Sequence, residues 1–101
     1  MPTVRDELVN TLDELVRDEP DDFTWHLSQR EMFKQERHIP RGRVHGKSHR
    51  DIVDVMVEFY GKRQAVKITL FILGRMNKNQ LVQDKGPILH NLLSQEEEPM
   101  A

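Results

Sequence analysis

The sequence predicts an all-α domain of five helices, with a short further helix inside a basic stretch. Three observations carry this. Apolar residues recur at helical spacing in several separate segments. Helix starts and stops (Thr3, Pro20, Ser48, Gly61, Asn77) punctuate those segments. The 101 residues fit a single domain with one small core, and a hydrophobic content of 37%, a little low, still supplies enough Leu, Ile, Val and Phe to fill it.

The first helix is expected over about 3–16. Val4, Leu8, Leu12 and Leu15 form one stripe, Thr3 can cap it, and Asp6 and Glu7 suit its positive end. Ordinary core packing explains the stripe better than any ligand role. A second helix starts near 18–20, where Pro is tolerated in a first turn. Its Phe23 and Leu27 face the core, while Trp25 lies off that line, with packing against a neighbour favoured over an exposed contact. From 29 to 50 the periodicity is lost. Ile39-Pro40 is extended, and Gly42 and Gly46 leave room for a short helix only.

Ile52, Val55, Met56 and Phe59 restore the helical spacing, from a Ser48 cap to a stop at Tyr60-Gly61. The helix over 63–76 is apolar nearly all round, Ile68 and Ile72 included, and so belongs at the centre of a bundle. After a break at Asn77 and Asn79, Leu81 and Val82 begin a last helix. Gly86-Pro87 should interrupt it before a short amphipathic turn carrying Ile88, Leu89, Leu92 and Leu93. Glu96, Glu97, Glu98 and Pro99 read as a tail. The domain is thus placed at 1–93, with an acidic tail or the start of a linker at 94–101.

The formal net charge is -2, but its distribution is uneven. Residues 1–22 hold eight acids against two bases, and residues 30–50 hold seven bases against two acids. The molecule has a negative start and a positive middle. No run of about 20 apolar residues is present, so no membrane span is expected. The acidic start lacks an apolar signal stretch, and a soluble, cytoplasmic domain is the expectation.

Catalytic chemistry is not in evidence. Cysteine is absent, which removes disulfides, thiolate metal sites and a cysteine nucleophile. There is no phosphate-cradling glycine loop and no nucleophile elbow. His45 and His49 stand four apart, but Gly46 lies between them and no third ligand sits at zinc spacing. No enzyme, metal or cofactor is expected. The basic segment 30–50 could be a nucleic-acid footprint, but the chain is not basic overall, and the bland alternative is a solvated face. The sharper alternative is a basic patch that meets an acidic patch on another protein.

The ordered motifs resemble those of a pyrin domain. They are Leu8-x3-Leu12-x2-Leu15, Asp22-Phe23-Thr24-Trp25-His26-Leu27, Ile39-Pro40-Arg41-Gly42, Asp51-Ile52-Val53-Asp54-Val55-Met56-Val57 with Tyr60-Gly61, and Ala65-Val66-Lys67-Ile68-Thr69-Leu70-x-Ile72-Leu73 with Met76-Asn77. Together they cover about residues 3–85. The resemblance implies the six-helix antiparallel bundle of the death fold, with a short third helix after a long basic loop. It also implies homotypic association: recruitment of the pyrin domain of an inflammasome adaptor, with self-association as a further option, to nucleate filaments in innate immune signalling. The wording over 23–27 and 65–70 is most similar to the N-terminal domain of a nucleotide-binding leucine-rich-repeat (NLR) receptor, with a fish among the candidate sources. The adaptor itself, a pyrin-bearing caspase of fish and a pyrin-only decoy are alternatives.

The resemblance implies a principal interface between acids of the first and fourth helices and bases of the second and third. By position the acidic face is Asp6, Asp13, Asp51 and Asp54. On the basic face Arg41 matches cleanly, with Arg43, Lys34 and Arg37 nearby. Two departures stand out. Asp21-Asp22 occupy a helix where the family often carries Lys, which should weaken self-assembly. Gly86-Pro87 should shorten or kink the sixth helix.

Overall fold

The computed structural model describes residues 3–28 and 39–96. Among the described residues it contains six helices and no strand: α1 (Val4–Asp13), α2 (Glu19–Leu27), α3 (Arg41–Val44), α4 (His49–Tyr60), α5 (Lys62–Arg75) and α6 (Asn79–Glu96).

Local chemistry sets most of these boundaries. Thr3 and Asp6 form a reciprocal capping box at α1, each side chain accepting from the other's backbone N–H. The helix ends at Asp13, not at Val16 as the hydrophobic stripe suggested. Arg17 adopts φ 55°, and the Val16 N–H donates to Glu19 Oε1 at 2.9 Å, so the chain turns here instead of extending the helix. Leu15 is nonetheless buried, because the turn folds it back onto the core. Ser48 caps α4 by accepting from the Asp51 N–H. Gly61, at φ 85°, ends α4 and begins α5 in a conformation that a Cβ would strain.

A second expectation is corrected. Gly86-Pro87 does not interrupt the last helix: α6 runs unbroken from Asn79 to Glu96, past residue 93, with Pro87 inside it. Pro87 cannot donate to the Gln83 carbonyl, which costs stability. Two features offset this. Gly86 lacks the Cβ that would meet the proline ring, easing the usual restriction on the residue before a proline. Leu89, Leu92 and Leu93 beyond the proline are all buried, so packing against α1 and α5 holds the C-terminal half in line.

Helix α5 packs on α1, α2, α4 and α6. It buries Ala65, Val66, Ile68, Thr69, Ile72 and Leu73, although Phe71 stays about half exposed. Around it the core gathers Leu8, Leu12, Phe23, Leu27, Ile52 and Met56, together with Val4, Ile39, Val44, Val53 and Leu89. Val55 and Phe59, read from spacing as core, lie at its edge and are partly buried. The buried threonines are satisfied within their own helices: the Thr11 hydroxyl donates to the Glu7 carbonyl at 2.7 Å, and that of Thr69 to the Ala65 carbonyl at 2.8 Å.

Candidate protein-interaction surfaces

Helices α1 and α4 pack against each other and present an acidic surface. Asp6 and Asp13 are seven residues apart, so they share the side of α1 opposite Leu8. Asp51 and Asp54 share the side of α4 opposite Ile52 and Met56, and Glu58, exposed one turn further on, extends the strip. The spacing of Glu58 was legible in the sequence, but nothing there singled it out.

An ion pair and a hydrogen bond stitch this surface together. An Arg5 guanidinium nitrogen lies 2.5 Å from Asp54 Oδ1, and His49 Nδ1 lies 2.6 Å from Asp13 Oδ1. Arg5 faces Asp54 near the end where α1 begins, and Asp13 faces His49 where α4 begins, so the two helices run antiparallel. The four acids named from the resemblance are therefore brought to one surface. Asp6, Asp13 and Asp51 are exposed and Asp54 is half-buried. Arg5 and His49 were not recognised as parts of this surface, because partners 49 and 36 residues apart leave no local signal.

The basic side is centred on α3, which packs against α2 and α4. Arg41 and Arg43 are exposed. The Arg43 guanidinium lies over the Phe59 ring at 5.8 Å, a cation–π contact that fixes its direction. Lys47 and Arg50, exposed on either side of Ser48, add to the charge. Lys34 and Arg37 lie outside the described residues. Asp21 and Asp22 are exposed in the first turn of α2, where they suit the positive end of their own helix. Trp25, expected to pack, is half exposed at 50%, because it projects from the side of α2 opposite Phe23 and Leu27. Its ring meets His26 edge-on at 5.0 Å.

His45 follows α3 and His49 opens α4, so the two do not share a helix face. Among the described residues no three His, Cys, Asp or Glu gather as a metal site, and no helix is long and apolar enough to cross a membrane.

Both the sequence and the six-helix fold are matched by known proteins. Residues 7–83 match the PAAD/DAPIN/Pyrin domain family. The chain belongs to that family. Pyrin of Mus musculus is 32% identical over 82 residues, which is 81% of this chain and 11% of the relative. Pyrin of Homo sapiens is 30% identical over 94 residues, 93% of this chain and 12% of the relative. The chain thus spans only a small fraction of the length of these curated relatives. The solution structure of the pyrin domain of human Pyrin superposes with a TM-score of 0.72 at 29% identity, covering 92% of this chain and 99% of that one. Pyrin domains are homotypic protein-interaction modules of the death fold, pairing with other pyrin domains. The surfaces just described are accordingly read for association and not for catalysis.

Proposed function

We propose that this pyrin domain recruits the pyrin domain of an inflammasome adaptor and so nucleates filament assembly in cytoplasmic innate immune signalling, as the recruiting domain of an NLR-type receptor or another pyrin-bearing protein. The recruiting unit spans residues 1–93. The observation that carries this reading is the separation of charge onto different helices: acids on α1 and α4, exposed arginines on α3. A contact between two different patches is heterologous, and repeating it builds an open helix unless the rotation closes a ring. Asp6, Asp13, Asp51 and Asp54 would receive the partner's bases, while Arg41 and Arg43, with Lys34 and Arg37, would meet its acids.

Asp21 and Asp22 oppose self-assembly on this reading, since they are exposed on the second helix, where the resemblance implies bases that meet a second copy's acids. The domain would then polymerise poorly alone and depend on clustering or on a more basic partner.

The test is Arg41→Glu. Arg41 is exposed, so the fold should survive reversal. Recruitment of an adaptor pyrin domain, followed as seeded filament growth, should be lost or greatly slowed. Growth at the wild-type rate would remove Arg41 from the interface and this reading with it.

A further inference from the structure

The acidic surface is not an open row of carboxylates. Asp54 is held by Arg5 at 2.5 Å and Asp13 by His49 at 2.6 Å, each across the α1–α4 seam. Asp6 spends one carboxylate oxygen on the Thr3 N–H. Asp51 is exposed and forms no ion pair with any described residue. We infer that Arg5 and His49 are in-chain competitors for the cations of a binding partner, so that they set the affinity of the acidic surface. The inference rests on the proposal that this surface receives a basic partner.

A partner arginine that reaches Asp54 must share or displace the Arg5 guanidinium, because a carboxylate has a limited set of acceptor positions. The side chains of Arg5 and Asp54 are 42% and 46% exposed, so water and salt screen the pair and the exchange is easy. Such pairs are broken at little cost, and the competition is graded and does not act as a lock. Arg5 also acts before contact, since its charge lowers the negative potential that steers a basic partner inward. Asp51, with Glu58 one side of Asp54, is then where a partner cation lands first.

The experiment titrates a hexa-arginine peptide into the isotopically labelled chain and follows the amide signals of α1 and α4. Arg5→Gln should tighten binding by about 1.5- to 5-fold, the span expected from losing an exposed competing pair. The gain should shrink between about 0.01 M and about 0.15 M salt, as screening removes the steering term. In an Asp54→Asn background the same Arg5→Gln change should give a clearly smaller gain, because only the steering part is left. Unchanged affinity in Arg5→Gln overturns the inference. An equal gain with Asp54 already neutralised also overturns it, since Arg5 would then act as a distant charge. Should Arg5→Gln unfold, His49→Gln carries the test, with Asp13→Asn as the matching background. The peptide needs no natural partner. A gain here together with no recruitment of an adaptor pyrin domain would sink the proposed function and leave the competition standing.

Discussion

The Lys85 ammonium lies 2.8 Å from a Glu7 carboxylate oxygen, joining α6 to α1 with side chains only 15% and 12% exposed. It is the most enclosed ion pair among the described residues. Removing one partner should leave the other charge stranded between two packed helices. Lys85→Met should cost about 2–4 kcal/mol, somewhat less than a fully buried pair because some water reaches this one. Glu7→Gln combined with Lys85→Met should recover most of the loss. Urea unfolding of the two variants checks this, and equal losses would mean that Glu7 is not left as a costly stranded charge.

Glu19 provides a pH-dependent link at the other end of α1's turn. Its hydrogen bond to Lys78, and then its acceptance of the Val16 N–H, hold its carboxyl below the ordinary value of 4.5. A lowered folded-state value contributes stability that is present above the unfolded value and disappears as pH falls through the folded one. Acidification below about 4.5 should therefore loosen the contact of the α1–α2 turn with Lys78. Glu19→Gln should flatten that part of the acid-stability curve. Melting temperatures at a series of pH values for both proteins would show it, and parallel curves would dismiss it.

Leu27 is fully buried among α2's core contacts. Leu27→Ala should destabilise by about 2–5 kcal/mol through the cavity it leaves. Against a domain total of about 5–15 kcal/mol that is a severe loss. A thermal melt unchanged by the substitution would mean that Leu27 is not packed as described.

Pro87 is tolerated in α6 at a cost. Pro87→Ala restores a donor to the Gln83 carbonyl in a helix that is already formed. It should raise stability by about 1–3 kcal/mol, up to the usual penalty for proline in a helix interior. Pro87 is exposed, so no packing is lost. Lower stability in this variant would show that the ring makes a contact worth more than the missing hydrogen bond.

The helices were legible where one physical signal ruled. The Leu8–Leu12 stripe, the Ser48 cap and the Gly61 stop are all local, and each states its structure within a turn or two of chain. The last helix was misread because its signals conflict. Gly86-Pro87 is a strong local breaker, while Leu89, Leu92 and Leu93 join a core built with helices distant in the chain. Of the interaction surfaces, the four aspartates and the α3 arginines stood out through the resemblance. Their in-chain partners did not.

What the sequence determined by itself was the class of the molecule: a single all-helical domain, without cysteine chemistry, carrying opposite charges on different helices of a pyrin-like pattern. Helical period and capping are short-range, so they survive without the fold. Only the tertiary structure decided which charges meet. Arg5 reaches Asp54, His49 reaches Asp13 and Lys85 reaches Glu7 because α1 lies between α4 and α6. Coulomb interactions depend on distance in space, and packing alone brings residues so far apart in the chain within reach of one another.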